Sequence, residues 1–198
     1  MILSISKSDP NMPLTEVTPE GLDKSPFLCD SNTMTPEQKF QQLFEEMYQL
    51  CEEQGWGDPF SYARSREIHL AGILGHKVAD TYSGADAVDN DGECEYKSTI
   101  ANSINGTYNG ISVQDTWEEQ ERYLIEEKLG KYSNHYIARY EGGKVVEVWK
   151  LTGDDVLMIL LPKLKKDWER KIHGKHKDPR LSGNLTKKEI YQYGTQIV

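Results

Sequence analysis

Residues 84–98 constrain this chain more than any other stretch: Gly84-Ala85-Asp86-Ala87-Val88-Asp89-Asn90-Asp91-Gly92-Glu93-Cys94-Glu95-Tyr96-Lys97-Ser98. Two short β-like runs, 85–88 and 93–99, flank Asp89-Asn90-Asp91-Gly92. Asp-Gly is a strong hairpin signal because its glycine accepts φ > 0. Alternate side chains of a strand share a face, so Glu93, Glu95 and Lys97 should project to one side and Cys94, Tyr96 and Ser98 to the other. The returning hairpin then brings Asp86 close to Glu95 and Lys97. Two carboxylates and one ammonium are expected to converge at one end of a sheet.

The flanking pattern supplies the rest of that sheet. Thr35-Pro36-Glu37-Gln38 reads as a helix start with a capping box. Phe40, Leu43, Phe44, Met47, Leu50 and Cys51 follow at helical spacing, which predicts one buried stripe. Gly55-Trp56-Gly57-Asp58-Pro59 ends that helix. A second helix is expected over 61–74, stopped by Gly75, and a strand over 77–82. Residues 100–114, rich in Asn, Ser, Thr and Gly, read as an ordered loop. A helix over 115–129, two strands over 135–140 and 144–151, and a helix over 156–171 follow. The last of these is acidic at its start and basic at its end, matching the helix dipole, and Pro162 should kink or split it. Thr186-Lys187-Lys188-Glu189 is a further capping box. The order predicts an α/β fold with a central mixed β-sheet flanked by helices. Residues 1–34, rich in Ser, Thr, Pro, Asp and Asn, read as an arm, and 35–198 as a single domain.

The trio has one well-matched chemical use. Mg²⁺ takes hard oxygen ligands and keeps several waters, so two carboxylates hold it and leave positions for a phosphate. Such an ion polarises a phosphoryl oxygen and acidifies a bound water. A neighbouring lysine can orient or deprotonate that water and stabilise charge on phosphorus. The Asp86…Glu95-x-Lys97 pattern, D-x₈-E-x-K, resembles the PD-(D/E)xK nuclease superfamily, most closely its type II restriction endonucleases. The order of elements is also similar to that superfamily's αβββαβ core: a helix, three antiparallel strands, a helix and a further strand. The resemblance covers roughly residues 60–150. Ala85 stands where the motif's proline is found. The resemblance implies that Asp86 and Glu95 ligate Mg²⁺, that Lys97 acts in hydrolysis, and that Glu67 on the preceding helix completes the site. Asp89 is the alternative to Asp86 as first ligand. The resemblance also implies sequence-specific cleavage of double-stranded DNA by a homodimer. Two other readings remain: a structure-specific repair nuclease or junction resolvase, and a non-catalytic DNA-binding module whose charged hairpin is scaffold. An EF-hand is excluded, since aligning Gly92 to the turn glycine puts Ala87 and Ser98 at ligand positions.

Net charge is -9, which disfavours nucleic acid until its distribution is considered. Residues 151–198 hold ten Lys/Arg against six Asp/Glu, and the excess concentrates between 163 and 188. Screening confines each charge to about 10 Å, so a local basic patch can meet phosphates on an acidic protein. Candidate phosphate contacts are Lys163, Lys165, Lys166, Lys175, Lys177, Arg180, Lys187 and Lys188. Asn and Gln read adenine edges with two hydrogen bonds, which makes Asn102, Asn105, Asn109 and Gln114 candidate base contacts. His173 and His176 sit among lysines and read as a phosphate-facing loop rather than a metal site. No apolar run approaches the roughly 20 residues that span a bilayer. Three cysteines without C-x-x-C spacing suggest a reduced, cytoplasmic setting.

Overall fold

The computed structural model describes residues 34–80, 84–174 and 180–198. The arm expected over 1–34 falls almost wholly outside them, as do the end of the 77–82 strand run, His176, Lys175 and Lys177. The chain divides into two compact units, residues 1–42 and 43–198. The described part of the first is the opening of helix α1 (Pro36–Gln54), where Thr35 and Gln38 form the anticipated capping box.

The second unit is α/β, with a mixed sheet flanked by helices. After α1 come α2 (Arg64–Leu74), β1 (Lys77–Val78), β2 (Ala87–Asp89), β3 (Gly92–Thr99) and β4 (Gly106–Ile111). Next are α3 (Trp117–Tyr123), which runs into a π-helical turn (Leu124–Lys128), β5 (Asn134–Glu141) and β6 (Lys144–Thr152). The chain closes with α4 (Gly153–Ile172), β7 (Leu181–Leu185), α5 (Lys187–Tyr193) and β8 (Thr195–Gln196). Six strands form one sheet in the order β1-β2-β3-β5-β6-β8. Among the described residues, β3 and β5 run parallel and the other neighbours are antiparallel. Parallel neighbours need a crossover of a dozen or more residues, and β4 with α3 provides it.

Strand alternation divides the core between the two faces of this sheet. Cys94, Tyr96, Tyr136, Ala138, Tyr140 and Val148 pack with Leu70 and Ala71 of α2 on one face. Ile137 and Leu151 pack with Leu124, Val156, Leu160 and Leu164 on the other. Glu95 and Lys97 alternate with Cys94 and Tyr96 on β3 and so leave the sheet on this second side.

Four expectations need correction. The stripe of α1 is not core: Phe40, Leu43, Phe44, Met47 and Leu50 are exposed, and Cys51 alone is buried. Helical spacing defines a face but not what covers it. Phe44 does stack on Phe60, with ring centroids 3.7 Å apart. Residues 100–114 are not all loop, because β4 pairs antiparallel with β7 in a separate two-stranded ribbon. Neither β7 nor β8 was anticipated from the sequence. Pro162 does not split α4, which runs unbroken over twenty residues from a Thr152–Asp155 capping box.

Candidate functional site

The hairpin turn is built by Asp89. Its Oδ1 accepts from the backbone N–H of Asp91 at 2.7 Å and of Gly92 at 3.1 Å, where Gly92 holds φ at +126°. Its Oδ2 accepts from Asn134 Nδ2 at 2.8 Å and from the Tyr136 hydroxyl at 2.9 Å. Burial works against the charged form, but these hydrogen bonds hold the Asp89 carboxyl below the usual range. Asn134 also donates to Asp91 Oδ2 at 2.9 Å, and Lys150 approaches the same oxygen at 3.1 Å. With four hydrogen bonds on its two oxygens, Asp89 is a turn and strand-bridging residue.

Asp86 lies three residues back, just before β2. Its backbone N–H donates to Cys94 O at 3.1 Å, and its Oδ2 accepts from Tyr96 N at 2.7 Å. Across the hairpin stand Glu95, about one-sixth exposed, and Lys97, about one-quarter exposed, joined as an ion pair. Burial, then the neighbouring charges of Glu95 and Glu67, push the Asp86 carboxyl up to about 8. The Lys97 charge and the Tyr96 N–H pull the other way and do not offset this. The Lys97 ammonium feels the opposite balance. Burial favours its neutral form, yet Glu95, Asp86 and Glu67 together raise it above its ordinary value. The four side chains singled out from the sequence therefore share one electrostatic environment.

Glu67 enters that environment from α2. It forms a 3.4 Å ion pair with Arg64, whose buried guanidinium donates to Trp56 O and Ala79 O, each at 2.8 Å. Arg64 thus fixes the start of α2 against the chain on both sides of it. Arg66, next to Glu67, donates to Ser98 Oγ at 2.8 Å and fastens α2 to β3 beside Lys97.

Several groups at the site carry no signal in the sequence. Glu95 and Lys97 line a cavity of about 160 Å³ with Tyr108, Asn109, Lys128 and Tyr132. Lys97 Nζ lies 5.1 Å from the centroid of the Tyr108 ring, within cation–π range. The Tyr108 hydroxyl donates to His135 Nδ1 at 3.0 Å, and His135 Nε2–H donates to Leu129 O at 2.9 Å. His135 is fully buried, and burial, aided by the nearby Lys97 charge, pushes its pKa down to about 4.

The anticipated DNA-contact residues separate into distinct places. Asn109 lines the cavity of Glu95 and Lys97, whereas Asn102 lines another with Arg66, His69 and Arg139. Asn105 donates to Ser103 O, and the main chain of Gln114 is tied to Gln120 and Trp168. Lys163 pairs with Glu189 at 2.6 Å, and Lys165 lies over the Trp117 ring at 5.2 Å. Lys166 and Arg180 are exposed. Lys187 and Lys188 are also exposed, and Lys187 lies 5.1 Å from the Tyr191 ring.

The donor set at the hairpin is entirely carboxylate oxygen, which suits a hard cation such as Mg²⁺ and not a thiolate- or imidazole-seeking metal. Among the described residues, no three His, Cys, Asp or Glu side chains are grouped to hold a metal by themselves. Two carboxylates, completed by water and phosphate oxygen, match the usual habit of Mg²⁺. No helix of the described residues is long and apolar enough to cross a membrane. No protein-family model and no curated protein matches this chain.

Proposed function

We propose that this chain is a Mg²⁺-dependent endonuclease that hydrolyses double-stranded DNA at a defined sequence. The reading follows the type II restriction endonucleases of the PD-(D/E)xK superfamily, which the motif resembles. The observation that carries it is the convergence of Asp86, Glu95, Lys97 and Glu67, where burial, then the charges of Glu95 and Glu67, push the Asp86 carboxyl up to about 8 against the pull of Lys97. Burying carboxylates beside one another is unfavourable unless a cation joins them, and the Lys97 ammonium, paired with Glu95, does not offset that cost at Asp86. The element order α2-β1-β2-β3-α3-β5 supports the same reading.

Asp86 and Glu95 would hold the ion, which when bound supplies Lewis-acid activation of the phosphoryl oxygen and an acidified water. Lys97 remains an ammonium at neutral pH, because its carboxylate neighbours outweigh its burial. It therefore donates: it orients the attacking water and stabilises negative charge on the pentavalent phosphorus. Glu67 and Arg64 fix the near end of α2 against that centre. Water attacks in line: its oxygen bonds to phosphorus, the bond to the 3′ oxygen breaks, and the proton that the water gives up to solvent is matched by one that the departing 3′ oxygen takes up. The products are a 5′-phosphate and a 3′-hydroxyl. A two-fold homodimer would place two such centres on a palindromic site.

The test is incubation of the purified chain with plasmid and phage DNA, in Mg²⁺ and in EDTA. Discrete Mg²⁺-dependent fragments are expected, and Lys97→Ala should slow their appearance at least ~100-fold, the usual effect of removing one transition-state donor. Cleavage of branched DNA without sequence preference would instead place the chain among structure-specific nucleases. DNA left intact across these substrates would refute the enzyme reading.

A further inference from the structure

The β4–β7 ribbon has two unlike faces. Gly106, Tyr108 and Ile111 of β4 and Leu181, Gly183 and Leu185 of β7 are buried. Between them Thr107, Asn109, Ser182 and Asn184 are exposed. All four are uncharged hydrogen-bonding side chains, on strands that meet across more than seventy residues of sequence. Thr107 stands opposite Asn184, and its hydroxyl donates to Asn184 Oδ1 at 3.0 Å. Ser182 Oγ donates to Asn109 Oδ1 at 2.5 Å. Each hydroxyl holds one amide in place. Each amide keeps its second oxygen lone pair and both Nδ2 hydrogens without a partner among the described residues.

An asparagine amide with one acceptor site and a donor to spare matches the N6 and N7 edge of adenine. Holding it in place beforehand lowers the ordering cost of binding. The dimensions also fit. Because Thr107 stands opposite Asn184, Asn109 and Asn184 are diagonal neighbours across the ribbon, about 7–8 Å apart and close to two base steps of about 3.4 Å each. The major groove admits a two-stranded ribbon.

Placement adds a second, independent observation. Asn109 lines the same cavity as Glu95 and Lys97, so the outward face begins where the proposed hydrolytic groups end. Cations border it. Lys128 lines that cavity, and Arg180 Nη1 lies 3.7 Å from where a Cβ on Gly110 would stand, at the irregularity of β4. Lys163 donates to the main-chain oxygen of Asn184 at 2.8 Å while paired with Glu189. Asp167 accepts from Ser182 N at 3.1 Å and pairs with Arg170 and Lys171 beneath the start of β7.

We infer that the β4–β7 ribbon is the base-reading element of this enzyme. It enters the major groove beside the scissile phosphate, with Asn109 and Asn184 on adenine edges and Lys128 and Arg180 on flanking phosphates. The inference rests on the nuclease reading, and its test separates the two. Full-length protein is given a random-sequence duplex library with Mg²⁺, and the cleaved sites are sequenced for wild type, Asn109→Ala, Asn184→Ala and Asn109→Asp. Circular dichroism verifies folding, and Asn109→Ser or Asn184→Ser, which lose the two-bond amide, substitutes for a variant at the same position that fails it. Wild-type sites are expected to share A·T pairs. Each variant should lose discrimination at one of them by tenfold or more in relative kcat/KM. Sequence-specific wild-type cleavage with every variant's discrimination within twofold of it overturns the ribbon and leaves hydrolysis standing. Wild-type cleavage with no preference does the same. No cleavage of any duplex overturns the nuclease reading and the ribbon with it.

Discussion

Acid should expose the state of His135. Its ring is fully buried, with Nε2–H donating to Leu129 O and Nδ1 accepting from the Tyr108 hydroxyl. Both nitrogens are satisfied in the neutral tautomer, and burial pushes the pKa from 6.5 down to about 4. The unfolded chain therefore binds this proton first. Stability from the buried neutral ring is fully present above pH 6.5 and is lost as pH falls toward 4. At about 1.36 kcal/mol per pH unit, the full gap amounts to roughly 3 kcal/mol, and about 2 kcal/mol of it disappears between pH 7.5 and 5. The Asp86 carboxyl, pushed up to about 8, titrates as well, so the quantity to read is the difference between wild type and His135→Gln. Urea unfolding followed by tryptophan fluorescence, in chelator, at four pH values from 7.5 to 5 gives it. Wild type should lose about 2 kcal/mol more than the variant over that range. A difference that stays flat would refute a buried neutral His135.

The packing around the crossover makes further predictions. A Cβ on Gly130 would lie 2.5 Å from Ile125 O and 2.8 Å from Leu157 Cδ1. Gly130→Ala should therefore cost about 2 kcal/mol, read as a lower urea midpoint. Leu160 is fully buried on α4, against which Gly183 of β7 packs. Leu160→Ala should cost roughly 3 kcal/mol in the same assay. Asp167→Ala removes the acceptor of Ser182 N–H and the partner of Arg170 and Lys171. It should cost about 2 kcal/mol and speed amide exchange in β7 more than in β5.

How much of this fold was legible depended on how local its causes are. The hairpin was readable because Asp89 closes its own turn two and three residues on. Helix starts at Thr35 and Thr186 were readable for the same reason, since each cap bonds within three residues. The ribbon was not. Gly106-Thr107-Tyr108-Asn109-Gly110-Ile111 has two glycines and no aliphatic run, a composition that reads as loop. It becomes a strand because Leu181–Leu185 lies beside it and Tyr108 and Ile111 find a core. Strand propensity mostly records such packing, and a single local window does not contain it. The stripe of α1 fails in the opposite sense: its period is genuine, but burial needs a second surface.

The same division runs through the candidate site. Asp86, Glu95 and Lys97 could be placed together from sequence, because two-residue alternation and one hairpin suffice. A hairpin cannot, however, decide what a lysine beside a carboxylate does. On an exposed hairpin, the Glu95–Lys97 pair would be screened and worth little. Here Tyr108 from β4 lies over Lys97, and His135 from β5 holds the Tyr108 hydroxyl. These neighbours remove water from one side of the pair, and desolvation is what gives charges their strength. The parallel register sets Glu95 beside His135 and Lys97 beside Ile137, so β5 is the floor under both groups. The motif supplies the charged groups of the candidate site, while the long-range pairings of β3 with β5 and β4 with β7 supply the low-dielectric setting around them.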